Sequence, residues 1–153
     1  DFYRSIMVYR EKDFIPLQEE LQMAENFGFL LKKRFEEALN IQISDRETPG
    51  VIMPLTLQML LENAVKHNVI SKKKPLTIEI FVENNEWIVV RNNINPKIKP
   101  EPGTRFGLQN LAHRYLVMTN KKIKQNAENG FFTVKIPLTQ EADAGVKRGK
   151  INW

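Results

Sequence analysis

Residues 76–92 constrain the architecture of this 153-residue chain more than any other stretch. Leu76, Ile78, Ile80 and Val82 alternate with Thr77, Glu79, Phe81 and Glu83; Asn84-Asn85 follows, and Glu86-Trp87-Ile88-Val89-Val90-Arg91-Asn92 returns. A period of two among β-branched residues, on either side of an Asn pair, predicts a β-hairpin. A second hairpin is predicted where residues 122–127 turn at Glu128-Asn129-Gly130 and return through residues 131–138. Two such hairpins make a largely antiparallel sheet, and its apolar face needs a second layer over it.

Helical periodicity supplies that layer. Residues 15–38 place Leu17, Leu21, Ala24, Phe27, Gly28, Leu31 and Phe35 on one side, with Pro16 in a first turn. Glu19 and Glu20 lie near the positive end of the dipole, and Lys32, Lys33 and Arg34 near the other. Residues 54–68 (PLTLQMLLENAVKHN) predict one amphipathic helix with Leu57, Leu60, Leu61, Ala64 and Val65 as its stripe. Helical spacing resumes over residues 106–118, after a segment that Pro96, Pro100, Pro102 and Gly103 keep irregular. Residues 39–44 alternate as a short half-buried strand, and residues 45–50, with Pro49-Gly50, form a loop. The order predicts an α/β two-layer sandwich, a mixed, mostly antiparallel sheet with helices on one face. The expected limits are a connector at 1–14, one domain at 15–138 and a polar, poorly ordered tail at 139–153.

Composition fits one core: the chain is 42% hydrophobic and 27% charged, and no apolar run approaches the roughly 20 residues of a membrane span. Without cysteine there is neither disulfide nor thiolate metal site. The chain opens at Asp1 without a signal-peptide pattern and reads as a segment of something longer. The net charge of +5 favours an anionic partner, although Lys72-Lys73-Lys74 and Lys121, Lys122 and Lys124 fit solvated turns.

Chemistry is concentrated in three places. The helix at 54–68 gathers Asn63, Lys66 and His67, an amide, an ammonium and an imidazole suited to polyphosphate and metal; alone, such a face is ordinary solvated helix surface. A strand then ends in Val90-Arg91-Asn92-Asn93. Gly103-Thr104-Arg105-Phe106-Gly107-Leu108 opens the next helix, where backbone N–H groups and the dipole favour phosphate.

In this order the three elements resemble the Bergerat-fold ATP-binding superfamily of gyrases, chaperones, histidine kinases and mismatch-repair proteins. Within it, Leu57-Gln-Met-Leu-Leu-Glu-Asn-Ala-Val-Lys-His67 is similar to the central box of LytS-like sensor histidine kinases, and the likeness runs over residues 3–138. The resemblance implies that Asn63 ligates Mg²⁺, Lys66 neutralises phosphate and His67 bonds phosphate or sugar. Asn92 stands where the family usually has an Asp that accepts from the adenine amino group. Gly103, Thr104, Gly107 and Leu108 would lie by the phosphates. Arg105 replaces a common glycine and is either a phosphate contact or a solvated arginine, and Asn93-Ile94 replaces the usual Asn-Gly. Met59 occupies the position where hydrolytic members carry a water-activating Glu, and methionine cannot act as a base. Glu62, the nearest carboxylate, points about 100° around the helix from Asn63, which favours phosphotransfer over efficient hydrolysis with Glu62 as a candidate catalytic helper to the transfer step.

The function so implied is the ATP-binding catalytic domain of a two-component sensor histidine kinase. It would use ATP and Mg²⁺ to phosphorylate a histidine outside the fragment, because His67 belongs to the ATP site and His113 lies mid-helix. Implied partners are upstream dimerisation and phosphoacceptor helices and, indirectly, a response regulator. The whole protein would be a membrane homodimer with this domain cytoplasmic, and residues 94–105 a mobile lid. The alternative is a pseudokinase, a nucleotide-binding or docking module regulating a signalling dimer. No nucleic acid is expected, since strands that alternate around Trp87, Phe131 and Phe132 usually bury them.

Overall fold

The alternating stretches pair as their periodicity predicts. In the computed structural model, which describes residues 13–99 and 104–140 and the side chains of all but 104–106, β4 (Leu76–Glu83) and β5 (Trp87–Asn93) run antiparallel, with Ile80 opposite Val90. Asn84 and Asn85 both take positive φ, a conformation that asparagine tolerates in tight hairpin turns. β6 (Lys124–Glu128) and β7 (Phe131–Pro137) close the same way through Asn129 and Gly130. β7 pairs antiparallel with β5, and β2 (Leu39–Ile43) adds to β4 in parallel, giving the order β2-β4-β5-β7-β6.

Three helices supply the second layer: α1 (Leu17–Phe35), which runs into a 3₁₀ turn at Glu36–Ala38, α2 (Thr56–His67) and α3 (Thr104–Thr119). Ile78, Ile80, Ile88, Val90, Val134 and Ile136 on the sheet form one buried core with Leu17, Leu21, Leu57, Leu61, Leu111 and Tyr115. Each fully buried aliphatic side chain contributes about 1.5–3 kcal/mol. A Cβ at Gly28 would lie 3.0 Å from Ile41 Cδ1, so this glycine lets α1 approach β2 closely. On the opposite face of the sheet, cross-strand ion pairs join Arg91 to Glu79 and Lys135 to Glu83.

Two boundaries differ from expectation. Ile15–Pro16 forms a two-residue strand, β1, paired antiparallel with β3 (Val51–Ile52), so Pro16 precedes α1 instead of opening it. The backbone of Pro16 is extended, and Leu17 N–H donates to Gly50 O at 2.9 Å. At the other boundary, α2 begins at Thr56 because Leu55 takes a left-handed conformation, φ +67°. Phe14, expected in the connector, is buried in the core. Thr139, expected in the tail, is buried and bridges Val51. Residues 1–12 and 141–153 lie outside the described part of the chain.

Candidate functional site

The polar segment that follows α2 and the end of β5 are tied together by side-chain amides. Asn68 donates from Nδ2 to Ala64 O at 2.8 Å and accepts from Asn95 N–H at 2.7 Å. Asn93 accepts from Thr77 N–H at 2.8 Å and donates to Pro75 O at 3.0 Å. These bonds fix α2 beside β5, and α3 closes the third side of a cavity of about 510 Å³.

Leu60, Asn63, Ala64 and His67 line the cavity from α2, Val90 and Asn92 from β5, and Leu108, Gln109 and Ala112 from α3. Val134, Phe132 and Ile123 make its floor largely apolar. An apolar lining with a few polar side chains among it is suited to a ligand with an apolar body and polar edges.

Asn92 is buried, and its Nδ2 donates to Asn93 O at 2.7 Å. Only the amino end of an amide can make that bond, so its carbonyl oxygen is left as an acceptor, on a residue that lines the cavity. Of the adjacent asparagines, then, Asn92 serves the cavity and Asn93 holds the loops. Asn63 is half-buried in the wall, and no other described residue hydrogen-bonds its carboxamide.

The remaining candidates divide. His67, itself exposed, and half-buried Leu108 line the cavity; exposed Lys66 and half-buried Glu62 are not part of the lining. Gln58 Nε2 donates to Glu62 Oε1 at 3.4 Å. Gly107 lies inside α3, where a Cβ would stand 3.5 Å from Met59 Sδ, so Met59 packs between α2 and the first turns of α3. Gly103 lies outside the described residues, as do the side chains of Thr104 and Arg105. His113 is exposed on α3. Lys97, Gln109 and Gln125 also line the cavity, although no motif marks them in the sequence. Among the described residues no group of three or more His, Cys, Asp or Glu side chains could hold a metal ion.

At its N-terminal end α2 is held from outside the cavity. Glu20 of α1 accepts from Leu55 N–H at 3.0 Å through Oε1 and from Leu57 N–H at 2.8 Å through Oε2. Burial pushes its carboxyl up to about 7, and the backbone N–H groups of Leu57, Leu55 and Thr56 limit the rise. The Tyr115 hydroxyl accepts from Met53 N–H at 2.9 Å and lies 3.3 Å from Thr56 Oγ1; burial raises its titration further above the usual tyrosine range.

No family model matches the chain. The sensor protein LytS of Staphylococcus haemolyticus is 28% identical over 145 residues, 84% of this chain and 25% of that protein. The sensor histidine kinase YesM of Bacillus subtilis is 29% identical over 116 residues, 70% of this chain and 20% of that one. The chain thus spans about a quarter or less of the length of these relatives. Among solved structures, the cytoplasmic segment of histidine kinase QseC superposes with a TM-score of 0.58 at 17% identity, covering 84% of this chain and 78% of that one. The catalytic domain of histidine kinase ThkA gives 0.57 at 14% identity, covering 84% and 99%. Built on the fold of histidine kinase catalytic domains, the chain is a sequence relative of the LytS- and YesM-type sensor histidine kinases.

Proposed function

We propose that this chain binds ATP with Mg²⁺ in the cavity between α2, β5 and α3 and acts as the catalytic domain of a sensor histidine kinase. The observation that carries the reading is the convergence of Asn63, His67, Asn92 and Leu108, from three elements, on one largely apolar cavity. Adenine would lie on the floor, its amino group donating to Asn92 Oδ1. The phosphates would extend toward the first turns of α3, whose backbone N–H groups favour anions. Gly107 and Leu108 belong to those turns; by the resemblance Gly103, Thr104 and Arg105 would also serve the phosphates, and Lys66 and His67 would supply cationic or donor groups.

Asn63 offers a single neutral oxygen. That fits Mg²⁺, which keeps water and phosphate oxygens as its other ligands and does not require a cage of carboxylates. When bound, the ion neutralises charge on the phosphates. In the transfer, a nitrogen of the acceptor imidazole bonds to the γ-phosphorus, the bond from that phosphorus to the β–γ bridging oxygen breaks, and ADP departs. Glu62, at the α2 surface, is proposed to take the proton shed by the imidazole. Met59 offers no base for water, so transfer is favoured over hydrolysis. The acceptor histidine would lie on upstream dimerisation helices of the full protein. That protein would be a membrane homodimer, with this domain cytoplasmic and a response regulator downstream. No described helix is long and apolar enough to cross a membrane.

Calorimetry with ADP or ATP and Mg²⁺ tests the binding, and phosphate appearing on a separately supplied acceptor-helix fragment tests the transfer. Asn63→Asp should leave the chain folded by circular dichroism and reduce metal-dependent transfer by about a hundredfold or more. Binding without transfer would identify a pseudokinase, and a lack of binding at millimolar nucleotide would overturn the reading.

A further inference from the structure

Leu55 enters α2 at φ +67°, a conformation that costs a branched residue free energy and persists only where its surroundings fix it. What fixes it comes from another helix. The two oxygens of Glu20 accept the N–H groups on either side of the strained entry, Leu55 and Leu57, so the carboxylate caps α2 in place of its own N-cap side chain. Leu57 lies six residues before Asn63, about 9 Å along a rigid helix. A change of tilt at the first turn therefore reaches the cavity wall. Glu20 itself is 1% exposed and is not part of the cavity lining.

On the reading that the cavity takes Mg²⁺ and nucleotide, we propose that Glu20 is a positioning residue for that site, its ionised carboxylate setting the start of α2 and thereby the placement of Asn63. Protonation turns one oxygen into a hydroxyl and leaves a single good acceptor for two N–H groups. Among the described residues, the elements around Glu20 supply few competing charges. β1 and β3 contribute only Ile15, Pro16, Val51 and Ile52, and the first turn of α2 contributes neutral Thr56. From α3 come Tyr115, buried and protonated, and Arg114, whose charge acts on Tyr115. His67 also lines the cavity, so the informative quantity is the ratio of two proteins that both carry it.

The experiment compares the unaltered chain with Glu20→Gln, measuring the Kd for ADP with Mg²⁺ in excess by calorimetry from pH 8.5 to 6. The expected result is a Kd about tenfold weaker for Glu20→Gln at pH 8.5, with the gap closing as the pH falls through 7. In the nucleotide-free chain, the protection of the Leu55 and Leu57 amides against exchange, relative to their intrinsic rates at each pH, should fall over the same window. A folded Glu20→Gln protein that binds as tightly as the unaltered chain at every pH would overturn the proposal, leaving Glu20 a merely structural residue. If Glu20→Gln does not fold, linkage decides the matter in the unaltered chain. Saturating Mg²⁺ and ADP must then lower the pH at which the Glu20 carboxyl titrates by NMR, and an unmoved titration overturns the proposal. If the unaltered chain binds no ADP at any pH, the nucleotide reading fails and the positioning role fails with it. That outcome is distinct from tight binding that ignores Glu20.

Discussion

The two ends of α2 are fastened by different chemistry. At its start, a buried carboxylate from α1 and a buried phenol from α3 hold backbone N–H groups around the strained Leu55. At its end, the neutral amide of Asn68 joins Ala64 O to Asn95 N–H, and this residue lines the cavity itself. The task is the same, to fix the direction of one helix. The first solution depends on a group that titrates near neutrality, the second on groups that do not titrate. One helix can thus carry a pH-dependent end remote from the cavity and a pH-independent end beside it.

The sharpest way to break the contrast is to remove the neutral end. Asn68→Ala deletes two hydrogen bonds and leaves the Asn95 N–H and Ala64 O without their side-chain partner, at a cost of about 3 kcal/mol. Urea unfolding should show that loss unchanged between pH 5 and 8; a loss that varied with pH would mean that the two ends are not chemically independent.

The charged end should show the opposite behaviour. The Glu20 carboxyl is raised in the folded chain, from an ordinary 4.5 to about 7, so the folded state binds its proton more tightly than the unfolded one. The resulting stability is fully present below pH 4.5 and is lost as the pH rises through 7. Between pH 5 and 8 the unaltered chain should lose about 2–3 kcal/mol on this account, and Glu20→Gln should not. Denaturant midpoints of the two proteins across that range check the difference, and parallel curves would sink it.

Much of this arrangement is legible in the sequence because periodicity reports faces. The stripe of Leu57, Leu60, Leu61, Ala64 and Val65 is the buried side of α2, and the alternation at 76–92 is the β4–β5 hairpin. Asn63, His67, Asn92 and Leu108, singled out by motif order, meet at one cavity. Periodicity does not report partners. Glu20 reads as a dipole-friendly acid in a first turn, and nothing local says that its bonds go to residues 35 and 37 positions away. Tyr115 lies 62 residues from Met53 and looks like one more apolar residue at helical spacing. β1 and β3 have two residues each, too few for any pattern to register. The helical wheel also places Lys66 close to Asn63 and His67, yet only the latter two line the cavity, because the side of α2 that faces β5 and α3 is decided by packing.

Tyr115 separates the polar part of the charged end from its packing. Tyr115→Phe keeps the ring in the core and removes the acceptor for Met53 N–H and the partner of Thr56 Oγ1, at an expected cost of about 1–2 kcal/mol. Because Thr56 Oγ1 still donates to Met53 O at 2.7 Å, the turn retains part of its support. Thermal unfolding should register the loss, and the Glu20-dependent slope with pH should survive it; a slope that vanished would make Tyr115, not Glu20, the group on which the start of α2 depends.

The smallest expected effect lies on the wall that faces α2. Gly107 has no positive φ, and a methyl there would meet Met59 Sδ at 3.5 Å, an ordinary contact, so neither backbone nor packing requires glycine. Gly107→Ala in a helix interior should therefore stabilise the chain by about 0.5–1 kcal/mol. If the backbone of this turn approaches phosphate, the same methyl should weaken ADP binding even as the melting temperature rises. Opposite movement of the two quantities would mark Gly107 as a residue kept for its ligand. A rise in melting temperature with unchanged ADP affinity would place the phosphates away from this turn of α3.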